Sequence, residues 1–470
     1  MANPALTSPW SETIVDVVEQ LESFRQAEQV LANSALADMA VSLRDGAVPA
    51  VLEERARLLL HDLFSVTLAG ARTPELGRLA ATFAGAPGAV RPIGSALSTT
   101  PEYASFLDSV ASCCLELDEG NKYAAGHPAA HVVFAAMAAT RLSDGPVDGR
   151  RFVAAVVAGY EVAARFGRAL DRNPGWHTHG HWGATGAATA AALVLGADAR
   201  QVSAAIDAST SLIHVTPWPV VLEGGFVRNL WIAGANRAGL DAARLALAGL
   251  VTNAGAAQHS LGCIVGRLDP DSLTHGLGDE WLVLKGYLKQ HASCAYTHAV
   301  VDAIQELRRD GDWEADDVSA IEVRTHRLVE PLLGTEVEPR LGAMFSLPFV
   351  AAMACVADAV DPDSMDPARG HFARARDLSR HVRVEIDPLI DGLLPDRRAA
   401  EVTLRLRDGS TRGVGVPNPV GDVDHFPLGP AEVIAKAERL VGRQDANTIL
   451  DVVSSLAPSD DVASQLHRLP

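Results

Sequence analysis

A chain of 470 residues is too long for one compact core and, at roughly 150 residues per domain, is expected to form at least two units. Hydrophobic residues make up 48% and aromatics only 5%, which favours a mainly helical protein with tight, small-residue interfaces; no run reaches the eighteen or so uninterrupted apolar residues of a membrane span. Forty basic against 58 acidic residues give a net charge of −18 with no Lys/Arg-rich run, which excludes nucleic acid as an expected partner.

The first residues, "MANPALTSPWSETIVDVVEQ", lack the basic start and apolar core of a secretory leader, so a cytoplasmic location and no membrane partner are expected. From Trp10 to about Leu282 apolar residues recur at three and four spacing, as in "ERARLLLHDLFSVTLAG", "HVVFAAMAATRL", "GRRFVAAVVAGYEVAARFGRAL" and "NRAGLDAARLALAGL", and predict helices. After Lys289 one more helix, "THAVVDAIQELRRDG", leads into a different texture. "VSAIEVRTH", "HVRVEIDP" and "AAEVTLRLRDGSTRGVGV" alternate apolar and polar residues and predict strands, the last with a turn at Asp408-Gly409; "FSLPFVAAMACVADAV" predicts a helix among them. "PAEVIAKAERLVG" and "ANTILDVVSSLAP" return to helical periodicity. The order predicts a mainly α fold: a large all-helical domain from 1–284 and 419–470, interrupted by a smaller α+β domain at 285–418. The cysteines Cys113, Cys114, Cys263, Cys294 and Cys355 form an odd set without C-x-x-C spacing and read as reduced thiols.

Four stretches carry chemistry. "CCLELDEGNKYAAGHPAAHV" crowds Glu116, Asp118 and Glu119 ahead of His127 and His131, so carboxylates that raise one another's pKa stand near an imidazole, and His127-Pro128 suits the start of a helix. "GWHTHGHWGATGAATAAALVLGAD" sets His177, His179 and His181 directly before a run of small residues suited to a closely packed helix. "LEGGFVRNLWIAGANRAG" places Arg228 between a Gly-rich turn and a helix, where its fork could clamp a carboxylate. "LKQHASCAYTH" puts Lys289, His291, Cys294 and His298 at the domain junction, where pockets form, with Lys289 expected to face solvent there. Taken singly, an acidic loop, packed histidines and a solvated arginine account for these residues as well.

Taken together and in this order, the stretches resemble the MmgE/PrpD family, from about Leu58 to Leu456. "LDEGNKYAAGHP" is similar to the family's D-F-D-D followed by H-P, "GWHTHGHWGATGAATAAALVLG" to G-[FW]-H and a Gly/Ala-rich helix, "LKQHASCAYTHAVVDA" to K-x-Y-P-x-C-x-x-T-H, and "AMFSLPFVAAMA" to F-S-x-x-[YF]. The resemblance implies a large helical domain with an α+β lid, a homodimer, and a cofactor-independent lyase of the dehydratase or decarboxylase type acting on a small di- or tricarboxylic acid. It implies active-site positions at Glu116, Asp118, His127, His177 and Lys289. Arg228, His298 and His179, the last without a firm counterpart in the family pattern, are expected near the substrate, and no metal or other cofactor is expected because no metal, flavin or nucleotide motif appears. Departures from the pattern are Glu116 for an Asp, Arg228 for a frequent Lys and Phe349 for an aromatic hydroxyl, and the last two remove possible proton donors. An epimerase of a dicarboxylic acid would use the same α-proton chemistry; a metal-dependent hydrolase would instead recruit His127, His131 and the 177–181 cluster as ligands.

Overall fold

The computed structural model describes residues 26–83, 87–311 and 313–470, so the helical pattern expected between Trp10 and residue 25 lies outside the described residues. The fold is mainly α with a small α+β part. Each run read as helical from its spacing within that range is a helix: Ala50–Ala71, Pro128–Leu142, Gly149–Ala169, Arg228–Leu247, His298–Asp310, Leu347–Val356, Pro430–Val441 and Arg443–Leu456. Their starts are chemically marked. Asp148 accepts the Arg151 amide and Thr100 the Tyr103 amide, each satisfying a donor that the first turn leaves without a partner.

The axis of the helical part is Gly183–Leu195, buried along all but its last residue and packed against Pro128–Leu142, Gly149–Ala169 and Arg228–Leu247. Its small side chains permit this. A Cβ on Gly186 would stand 2.3 Å from the backbone oxygen of Gly159 on the neighbouring helix, so the two backbones touch where no larger residue fits. One apolar core runs from Ala32 to Leu288 and resumes from Leu428 onward. Lys436 on the returning helix reaches Oδ1 of Asp62 at 2.7 Å and the Leu117 carbonyl at 3.0 Å, an ion pair inside the helical layer.

A second core joins Ala292–Val416 to Val66, Val110, Leu117 and Trp231 of the helical layer. It backs a four-stranded sheet in the spatial order 382–386, 318–325, 400–406, 411–416, in which the first pair is parallel and the others antiparallel. Along Ala400–Leu406 buried and outward residues alternate, as period two requires. The predicted Asp408-Gly409 turn closes the final hairpin, with Gly409 at φ 88°. Two short antiparallel pairs have no counterpart in the sequence reading: Gly120–Asn121 with Gly286–Tyr287, and Leu170–Arg172 with Gly266–Leu268. Segments of two or three residues are too short to show a period.

Candidate active site

The acidic stretch leaves the Pro101–Cys113 helix through Glu116 in the left-handed region, at φ 53°. A side chain there costs on the order of 1–2 kcal/mol, which the surrounding contacts must offset. Pairing of Gly120–Asn121 with Gly286–Tyr287 then brings the stretch against Lys289. Glu116 is the hub. Its Oε1 pairs with Nη2 of Arg228 and its Oε2 lies 3.2 Å from Nζ of Lys289. Lys289 also stands 3.5 Å from Oδ1 of Asp118, whose Oδ2 is 3.4 Å from Nδ1 of His127. Lys289 is fully enclosed, which corrects the expectation of a solvated lysine at the junction. Burial works against its charge, but Glu116 and Asp118 outweigh that and hold it above its ordinary pKa, so it stays a cation. Arg228 is raised in the same way, and its guanidinium lies over the Phe345 ring at 5.2 Å.

The histidines divide into two that face a cavity and three that do not. His127 precedes the Pro128–Leu142 helix, with Pro128 in the first turn as predicted. Its Nδ1 lies 2.6 Å from the Glu119 carbonyl, which can only accept, so Nδ1 carries the proton and Nε2 keeps its lone pair. His177 is held the opposite way: its Nδ1 accepts the His179 amide at 3.2 Å, which puts the proton of the neutral ring on Nε2. Burial first, then Lys289 for His127 and Arg228 for His177, pushes both rings well below their ordinary pKa, so both are neutral near pH 7.

His131 is structural. Its Nδ1 donates to the His127 carbonyl at 2.7 Å and its Nε2 accepts the Gly180 amide at 3.3 Å, tying the two histidine loops together. His181 donates from Nε2 to the His177 carbonyl at 2.7 Å. With both nitrogens of His131 occupied, the four-apart pair His127/His131 does not present two metal ligands, and no group of three His, Cys, Asp or Glu among the described residues is arranged to hold a metal. His179 is fully buried, edge-on to His127, His131 and His177 with ring centroids 4.9, 5.4 and 4.4 Å away, and neither of its nitrogens has a partner. The 177–181 segment is a turn rather than the extended or helical alternatives weighed from sequence, so the three rings do not share one face.

The cavity, about 30 Å³, is lined by Glu116, His127, His177 and Arg228 of the expected residues. Asp118, Lys289 and His179 stand behind them, and His298 lies further off, with Nε2 3.2 Å from the Ser293 carbonyl and its ring against His291. Sequence reasoning missed Arg172, Trp218, Tyr287 and Arg398, which join the lining with Phe345 of the quoted F-S stretch and with Tyr296 and Cys294 of the quoted junction stretch. Burial pushes the Cys294 thiol up to about 11, which leaves it protonated rather than nucleophilic. Phe349 packs on Phe372 at 4.6 Å in the second core; Phe345 is the aromatic that faces the cavity.

Fold and cavity together define a helical body with a smaller α+β part and, at their seam, a small pocket of neutral histidines and fixed cations. The chain belongs to the MmgE/PrpD family: the family's N-terminal domain matches residues 34–271 and its C-terminal domain residues 291–456. A cis-aconitate decarboxylase of Aspergillus terreus is 28% identical over 281 residues, covering 56% of this chain and 57% of the relative. A cis-aconitate decarboxylase-like protein of Aspergillus oryzae is 26% identical over 320 residues, covering 63% and 66%. The matched part therefore spans under two thirds of each relative.

Proposed function

We propose that this protein is a lyase of the dehydratase or decarboxylase type that acts next to a carboxylate of a small carboxylic acid. The observation that carries the reading is the opposite polarity of two neutral imidazoles on one cavity: His127 presents a lone pair and His177 an N–H. In a dehydration His127 Nε2 would take the proton on the carbon next to the carboxylate, and His177 Nε2–H would protonate the departing hydroxyl. In a decarboxylation the C–C electron pair left by carbon dioxide would be protonated at carbon by His177. Each positioned acid or base is worth on the order of 10²–10⁴ in rate. Arg228 meets the negative charge that develops, in a pocket with little room for water. The family membership and the relatives named as decarboxylases support the same reading.

An opposed base and acid would also serve an epimerase, which removes and returns a proton without a leaving group. Incubation with a panel of di- and tricarboxylic acids in deuterated water, followed by NMR, separates the two. A lyase consumes the acid and forms an alkene or a shortened acid. Deuterium at the α-carbon with full recovery of starting acid and no alkene would select the epimerase, and no change in any acid would reject both.

A further inference from the structure

Two arginines of the cavity have no counter-ion among the described residues. Arg172 stands on the short strand Leu170–Arg172 of the helical body and Arg398 immediately precedes the strand Ala400–Leu406 of the sheet. Arg228 and Lys289, which the sequence offered as substrate clamps, already have their charges balanced by Glu116 and Asp118. No carboxylate among the described residues lies within ion-pair distance of Arg172 or Arg398. Asp422, which acts on Arg398 from further away, is held by Lys122 at 3.2 Å. Arg398 is 6% exposed, its Nε has no partner, and its guanidinium lies over the rings of Tyr287 and Tyr296 at 5.4 and 5.2 Å. Arg172 uses Nη1 on the Trp176 carbonyl, and it lines the same cavity as Tyr296 and Arg398. Arg398 also bonds the Tyr287 hydroxyl, so both guanidiniums have neutral partners, but neither has a carboxylate among the described residues to balance its charge.

We infer that Arg172 and Arg398, which line the cavity together with Tyr296, hold the substrate's carboxylates, and that the substrate is a dianion. Among the described residues, Arg172, Arg228, Arg398 and Lys289 set four positive charges against the carboxylates of Glu116 and Asp118, leaving two uncompensated. The neighbouring histidines are neutral, and Glu119, pushed up to about 8 by burial, adds no full negative charge near pH 7. A dicarboxylate therefore matches the pocket, whereas a tricarboxylate brings one charge too many. Because one arginine belongs to the helical body and the other to the sheet-bearing part, the ligand also bridges the seam.

This inference rests on the carboxylic-acid reading above, and its test separates the two. Calorimetric titration at pH 7.5 with crotonate, maleate and cis-aconitate supplies a monoanion, a dianion and a trianion. Maleate is expected to bind best. Arg172→Gln and Arg398→Gln should each weaken maleate by about tenfold or more, the scale on which a desolvated charge pair is lost, while crotonate changes little. Arg398→Lys keeps the charge and should keep the preference for maleate, which guards against a folding defect in the glutamine variant. Exposed Arg383→Gln should leave all three affinities unchanged. Maleate affinity within twofold of wild type in both glutamine variants, or a trianion preferred by the wild type, overturns the inference and leaves the lyase reading standing. Binding of none of the three by the wild type removes both.

Discussion

Nζ of Lys289 lies 3.2 Å from Oε2 of Glu116, and both side chains are sealed from solvent. The pair is therefore a structural bridge between the acidic stretch and the domain junction. Removing Lys289 leaves Asp118 without a cation and removing Glu116 leaves Arg228 without a carboxylate, each at a cost of about 3–5 kcal/mol. Lys289→Ala and Glu116→Ala should both lower the denaturation midpoint strongly, and Lys289→Arg should recover much of it. A Lys289→Ala protein with an unchanged midpoint would show that the junction is wetter than this geometry allows.

His127 and His131 sit one helical turn apart and should fail differently. His127→Gln is expected to lose about 10²–10⁴ in turnover with a small change in stability, because His127 lines the cavity. His131→Leu should cost stability first, since both its nitrogens bridge backbone groups of the two loops. Thermal melts beside initial rates distinguish them, and equal stability losses would contradict the assignment.

His179 carries a buried N–H without an acceptor, worth about 1–3 kcal/mol against the fold. His179→Leu should hold or raise the melting temperature. A simultaneous fall in activity would show that the imidazole is retained for proton exchange with His127 and His177 rather than for packing; full activity would show that it is dispensable.

Stability should fall on acidification. Burial pushes His131 down to about 4 and His181 to about 3, whereas in the unfolded chain both rings protonate near 6.5. The native state thus binds fewer protons, so this contribution is present above about pH 6.5 and is lost as pH drops toward those values, by up to about 1.4 kcal/mol per pH unit for each ring. Glu119, raised to about 8, acts in the opposite sense: its contribution is full below about 4.5 and lost as pH rises through 8. Denaturant midpoints from pH 5 to 9 should show a maximum, with His131→Leu flattening the acid limb and Glu119→Gln the alkaline one. Unaltered limbs would refute the linkage.

The long helices and the sheet hairpin were legible because their periods run over whole segments, and Asp408-Gly409 names its own turn. Glu116, His127, His177 and Arg228 were legible because each sits in a local motif. Arg398 was not: it lies in "DRRAAEV", where nothing nearby marks it, and only the fold delivers it beside Tyr287 and Tyr296. The opposed polarity of His127 and His177 was also beyond the sequence, since the backbone carbonyl of Glu119 and the backbone amide of His179 set it. Lys289 looked solvated because a one-dimensional reading cannot show Asp118 and Glu116 closing over it.

The bond from Lys436 to the Leu117 carbonyl spans 319 residues of chain, and the same ammonium neutralises Asp62. Translation therefore makes Asp62 and the strained Glu116 loop long before the cation that settles them, with the whole sheet-bearing segment emerging in between. A nascent chain halted before Pro430 exposes a carboxylate where the finished helical layer has none, together with the apolar faces of Ala50–Ala71 that the returning helix covers. The body that comes first in sequence is thus completed last in time, and the interval is when the growing chain most needs protection from aggregation.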